Sequence, residues 1–187
     1  MKNNRKLLFT TLIGLVIILS IATIWHFIYG WFPSNILALI APVNESPWEH
    51  VKMFFVPPLI WYAIEYIFVG KKYDNYLFAR GIALIYMPVF MFSVFYGYRD
   101  ILGIPEKLIY DSIITAVAIW TGSVLAYWLT IRTRPYKKKA IITPIIVAIM
   151  LISYSILTFL PPKAPVFYDR NFDGYGIDEA GHDHDHI

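Results

Sequence analysis

The sequence predicts an all-α polytopic membrane protein, with five transmembrane helices and one short helix that is interfacial or re-entrant. Three observations predict it. The 187 residues are 58% hydrophobic and only 16% charged, against about 45–50% and about 25% in soluble globular domains. The apolar excess falls in long runs, the signature of spanning helices. Lys and Arg gather in the short stretches between those runs.

The runs are Leu7–Tyr29, Pro47–Val69, Leu77–Gly97, Ile109–Ile131 and Ala140–Leu160, each 21–23 residues long. At ~1.5 Å per residue they measure roughly 31–35 Å, enough to cross a bilayer core. The first run follows Lys2, Arg5 and Lys6 and carries the small residues of Ser20-Ile21-Ala22. A signal peptide is the alternative there, but the run continues through Phe27 and Ile28 and is long enough to span. The second run contains Pro57-Pro58, which predicts a kink that frees backbone carbonyls. Pro88 and Pro144 predict bends in the third and fifth. In the third, Tyr86, Phe90 and Phe92 read as packing or lipid contact.

Trp31–Val43 is apolar but too short to cross. Pro33-Ser34-Asn35 is a helix start and Pro42 a stop, so the short helix is expected over Asn35–Ala41. Trp31 suits an interface. The chain divides into a transmembrane bundle over 1–162 and an acidic, His-containing tail over 163–187. No internal repeat is evident.

The formal charge of +3 hides an asymmetry. The tail from Lys163 carries two basic and six acidic residues, so the rest of the chain is +7. Eleven of the 16 Lys and Arg fall on one predicted side: Lys2, Arg5, Lys6, Lys71, Lys72, Arg80, Arg132, Arg134 and Lys137 to Lys139. Lys52, Arg99, Lys107, Lys163 and Arg170 fall on the other. The positive-inside rule then predicts a cell-membrane protein with a cytoplasmic N-terminus and an external C-terminus. Such a basic excess implies contact with the lipid bilayer rather than nucleic acid. With no Cys, disulfides, Cys-type zinc sites and thiol chemistry are excluded.

The chemistry concentrates in Asn44-Glu45-Ser46-Pro47-Trp48-Glu49-His50, with Lys52 beyond. Ser46-Pro47-Trp48-Glu49 matches a capping box: Ser46 as N-cap, Pro47 in the first helical position, Glu49 reaching back to the Ser46 N–H. Glu45 gains from the positive helix N-terminus. His26 lies at the same predicted depth, three residues before Tyr29 on one helix face. Asp111 starts the fourth helix there, preceded by Arg99 and Asp100. Two histidines with carboxylates suit zinc or a similar divalent ion, so His26, His50 and Asp111 are candidate ligands and Glu49 and Glu45 candidate general bases. No fixed-spacing metal motif is present. A haem between His26 and His50 is a further option, and a metal-free network clamping the helix ends is the structural alternative.

Glu65 lies toward the opposite end of the second helix, with Lys71, Lys72 or Arg80 as expected partners. In the tail, Asp169-Arg170-Asn171-Phe172-Asp173-Gly174 matches the opening of a calcium loop, but position twelve is Ala180. His182, His184 and His186 alternate with Asp183 and Asp185, a tract that suits loose metal binding or a disordered end.

The segments His26 to Trp31, Pro42 to Lys52, Phe167-Tyr168-Asp169 and Tyr175-Gly176-Ile177 together resemble a family of small bacterial and archaeal membrane proteins of unknown function. The resemblance covers nearly the whole chain; Asp178 to Ile187 reads as an extension. It implies topology and marks the site, and supplies no mechanism. Three functions stay open. One is a site protein, enzyme or binder, for a lipid or small molecule. The second is a structural or interaction protein whose polar cluster only caps and clamps helices. The third is a transporter or channel subunit, which the lack of a repeat disfavours.

Overall fold

The computed structural model describes residues 2–105, 107–132 and 137–177. The histidine tract at 182–186 lies outside them. Among the described residues the regular structure is helical apart from one small hairpin: α1 (Lys2–Trp31), α2 (Asn35–Ala38), α3 (Pro47–Phe68), α4 (Tyr76–Tyr96), α5 (Leu108–Arg132), α6 (Lys137–Phe159), then β1 (Tyr168–Asp169) and β2 (Gly174–Tyr175). Five helices among the described residues are long and apolar enough to cross a membrane: Asn4–Trp31, Pro47–Phe68, Tyr76–Ile101, Leu108–Arg132 and Ile141–Phe159. The third of these extends past α4 through a π-helical turn, Gly97–Ile101. The short helix ends earlier than expected, at Ala38, and the backbone continues in turns to Pro42. α3 is one helix across Pro57 and Pro58, so the prolines do not break it.

α3 is the central helix. Over its spanning window 56% of residues are buried, against 17–44% in the other four. It packs on α1, α4 and α6, while α4 also packs on α5 and α6. The core joins Ile18 and Ala22 of α1, Phe54 and Phe55 of α3, Leu84 and Met87 of α4, Ile119 of α5 and Tyr154 of α6. Small residues let the backbones approach: Ala83, Ala118 and Ala126 are fully buried. A Cβ on Gly122 would come within 2.6 Å of Met87. Lipid offers no hydrophobic drive between helices, so such close packing is what holds a bundle together. The outward rows, such as Val16, Val89 and Ile149, stay exposed, as helices solvated by lipid require.

One end of the bundle is tied by Glu65. Its Oε2 accepts from Arg80 Nη2 at 2.6 Å, Arg80 Nε at 3.0 Å and the Tyr76 hydroxyl at 2.7 Å, and its Oε1 from Thr10 at 2.7 Å. Glu65 and Arg80 are both buried. The guanidinium also lies over the rings of Tyr76 and Tyr62. Of the expected partners, Arg80 is the one used; Lys71 and Lys72 are exposed. Arg80 therefore belongs to the interior rather than to the loop charge.

Breaking a buried pair strands the remaining charge, which destabilises by about 3–5 kcal/mol, whereas apolar replacement of both is far milder. Glu65→Leu should lower the Tm of the detergent-solubilised protein sharply, and Glu65→Leu with Arg80→Met should recover most of the loss. A double variant as unstable as the single would refute the pairing as the cause.

Candidate functional site

The opposite end gathers the C-terminal ends of α1, α4 and α6, the N-terminal ends of α3 and α5, and the segment from α2 to Ser46. That segment is bound to the helices at each turn. Trp25 Nε1 donates to the Ile40 carbonyl at 2.8 Å. Lys52 Nζ donates to the carbonyls of Ala38 at 2.7 Å and Ala41 at 3.0 Å, and to Glu49 Oε2 at 2.6 Å. Its three protons have three acceptors, the condition under which a fully buried ammonium is tolerated. Glu49 Oε2 also accepts from the Val43 N–H at 3.1 Å, and its Oε1 from the Thr158 hydroxyl at 2.6 Å.

This corrects the capping box by half. Ser46 is the N-cap, its Oγ accepting from the Glu49 N–H at 3.3 Å. The Ser46 N–H, however, goes to Asn44 Oδ1 at 2.9 Å, and the Glu49 carboxylate is committed to Lys52, Val43 and Thr158. Glu49 is 2% exposed and lines none of the cavities at this end. A general base needs access to substrate, so its position fits a clamp and not a base.

With the segment so held, Glu45 stands between His26 and His50. Its Oε1 is 3.4 Å from His26 Nε2, and its Oε2 is 3.3 Å from His50 Nε2. One donor atom from each of the three lies within 4.8 Å of the others. The imidazoles stack with centroids 5.3 Å apart and planes 28° apart. That arrangement leaves no room for a porphyrin between the rings, and the haem option falls.

The tautomer of His50 follows from its other contact. Nδ1 lies 3.0 Å from the Ser46 carbonyl, which can only accept, so Nδ1 carries a proton. In neutral imidazole Nε2 then has a lone pair facing a carboxylate oxygen, two acceptors with a gap between them. Either a proton or a cation belongs in that gap. A charge-assisted hydrogen bond draws its atoms to about 2.7–2.9 Å. The donor–donor edge of a tetrahedral zinc site with bonds of about 2.0–2.1 Å is about 3.3–3.4 Å, which both contacts match. His26 Nδ1 is buried without a hydrogen-bond partner.

Asp111 shares a cavity of about 100 Å³ with His26, Glu45 and His50. Its carboxylate stands apart from the close trio and accepts from the Tyr98 hydroxyl at 2.8 Å. Tyr29 lines a larger cavity of about 470 Å³ beside His26 and Glu45.

The tail segment folds back onto the site. Trp48 N–H donates to the Val166 carbonyl at 2.9 Å, and Asn44 Nδ2 to the Gly176 carbonyl at 3.1 Å. The hairpin pairs Tyr168 with Tyr175 and Asp169 with Gly174. Gly176 has φ +71°, and a Cβ there would meet the Thr158 carbonyl at 3.1 Å. Asp169 is buried; its Oδ2 accepts from the Glu45 N–H at 2.6 Å and its Oδ1 from the Asn171 N–H at 2.7 Å. Both oxygens are thus spent on backbone amides. The segment that opens like a calcium loop is a turn whose first aspartate pins Glu45.

Sequence reasoning missed the buried Lys52 pair and the Asp169 clamp. The first had a legible signal, since Glu and Lys three apart share a helix face. The second joins residues 124 positions apart and had none.

Burial pushes the Glu45 carboxyl up, but its hydrogen bond to His50 and the charges of His50 and His26 outweigh this and hold it below the usual value. A carboxyl so lowered adds stability that is complete above the ordinary value of about 4.3 and is lost as pH falls through the lowered one. In EDTA, Glu45→Gln should therefore melt below the wild type at pH 7, and the gap should close in the acid range below about 4.3. A gap independent of pH would refute the assignment.

No curated protein and no solved structure matches the chain. The sequence profile of the Family of unknown function (DUF6512) matches residues 1–177. That stretch covers all five apolar helices, the trio and the hairpin, and leaves out only the last ten residues. The chain belongs to this family of unknown function.

Proposed function

We propose that the protein is a polytopic cell-membrane protein that holds a divalent transition metal, zinc above all, between His26, Glu45 and His50. The observation that carries this reading is the pair of 3.3–3.4 Å gaps between ring nitrogens and separate oxygens of one carboxylate. Two histidines and a carboxylate form a donor set that zinc sites use, and three protein ligands leave a fourth position open for water or substrate. The Ser46 carbonyl supports the reading from behind, because a ligating imidazole ordinarily donates its other N–H to such a group. Cavities on either side of Glu45 give the open position somewhere to face. The site then serves binding or hydrolysis of a small or lipid molecule, with the metal acting as Lewis acid toward bound water.

The second reading is a clamp in which protonated imidazoles pair with Glu45 and no metal enters. The same contacts favour it, and the two separate by experiment. Protein purified without chelator should carry about one zinc per chain by elemental analysis. His50→Ala should lose it. Glu49→Gln, which breaks the pair with Lys52, should lower the Tm. Metal-free wild type that keeps its fold would remove the first reading and leave the clamp.

We further propose that the N-terminus is cytoplasmic and the trio lies at the external face. Lys71, Lys72 and Arg132, exposed at the other end, support this orientation. The chain has no Cys, so single cysteines report cleanly. Asn171→Cys should react with an impermeant maleimide in intact cells and Lys71→Cys only after permeabilisation; the reverse would invert the topology.

A further inference from the structure

Three cavities meet at Glu45, and they differ in chemistry. The cavity of about 470 Å³ is apolar and aromatic, lined by Phe27, Trp31, Pro33, Val43 and Phe172 beside His26 and Glu45. That volume lies in the range of ligand pockets. A second, of about 300 Å³, is lined by Glu45, Pro47, Phe95, Arg99, Tyr168, Arg170 and Asn171. It contains two guanidiniums. The third is the small cavity shared with Asp111.

The two arginines reach this cavity from different parts of the fold. The Arg99 side chain is only 8% exposed; its guanidinium lies 4.5 Å over Phe95 and 4.9 Å over Tyr96, and it donates to Asp100 twice, Nε to Oδ1 at 2.6 Å and Nη2 to Oδ2 at 3.1 Å, which leaves its other N–H groups for a ligand. It is a fixed charge on the π-helical turn and not a mobile surface arm. Arg170 sits on the hairpin turn that Asp169 pins to Glu45. Asp100 offsets part of the charge, but it is half exposed. The cavity itself is lined by two arginines against one carboxylate, Glu45.

We propose that this site takes an amphiphile bearing a phosphate group, its phosphate held between the trio-bound metal and the pair Arg99 and Arg170, its apolar chain lying in the cavity of Phe27, Trp31 and Phe172. The proposal rests on the metal reading for the third positive group. Phosphate fits because it presents several peripheral oxygens at once. Guanidiniums engage these by paired hydrogen bonds, and a metal coordinates another. An amphiphile fits because the cationic and the apolar cavities lie side by side at Glu45.

The test titrates zinc-loaded protein in maltoside micelles with dihexanoyl phosphatidic acid, dihexanoyl phosphatidylcholine and inorganic phosphate, read by calorimetry with zinc content measured in parallel. The phosphatidic acid should bind saturably and most tightly. Arg170→Gln should weaken it by roughly tenfold with zinc unchanged. Arg99→Lys, which keeps the charge and loses the fork, should weaken it less than Arg99→Gln does. Binding indifferent to all three substitutions, with zinc retained, overturns this proposal and leaves the metal reading standing. Inorganic phosphate binding as tightly as the lipid overturns the amphiphile in favour of a soluble phosphate. Arginine-dependent lipid binding by protein that never holds zinc overturns the metal reading alone.

Discussion

The Glu49–Lys52 pair is the joint on which the site end of the molecule depends. A lysine and a glutamate three residues apart on α3 are both buried, and each spends its remaining hydrogen-bonding capacity on something that must be held in place. Lys52 takes the carbonyl at the end of α2, Ala38, and that of Ala41 in the turns beyond it. Glu49 takes the Val43 amide and the Thr158 hydroxyl of α6. In an apolar surround every such group left alone is expensive. Meeting these needs with one ion pair fixes the irregular backbone between α2 and α3, and Glu45 sits at the end of that backbone. The position of the carboxylate between two histidines is thus a consequence of an interaction that never touches it.

The two ends of the bundle solve one problem in opposite ways. At Glu65 every partner is a helix side chain, and the result is closed: a carboxylate, hydroxyls and a guanidinium laid over the rings of Tyr62 and Tyr76. At Glu45 the carboxylate has a histidine on either side, the residue's own backbone amide is held by Asp169, and cavities open around them. The carboxylate at the first end is buried; the one at the second is 39% exposed in its side chain. The first arrangement suits adhesion between α1, α3 and α4. The second has room for something to arrive.

Much of this was legible in the sequence, for physical reasons that differ by feature. The five spans follow from hydropathy alone, because length against bilayer thickness leaves few alternatives. Ser46 as N-cap and Pro47 at the first helical position are local rules, and they hold. The convergence of His26 with Glu45 and His50 was readable as shared depth, since an antiparallel helix pair brings the end of one beside the start of the next. What escaped was every contact set by tertiary return: Thr158 on Glu49, Asp169 on Glu45, Arg99 and Arg170 at one cavity. Asp169 shows why local patterns mislead. Its loop has calcium-like composition, yet the carboxylate was already taken by amides from its own turn and from a residue 124 positions earlier.

The trio draws its donors from three separate stretches: the end of α1, the connecting segment and the first turn of α3. Ser46 binds this last stretch twice, through its side chain to the Glu49 amide and through its carbonyl to the His50 ring. No two neighbouring residues supply the site, so an isolated α1 or an isolated α3 has nothing comparable to offer. Whatever all three grip recognises only the assembled end of the molecule, and its binding energy adds to the stability of that assembly. During synthesis α1 emerges before α3. The three donors come together only when α3 has followed it and the chain between has turned, so the metal proposed for the trio would report that the first half of the bundle has closed.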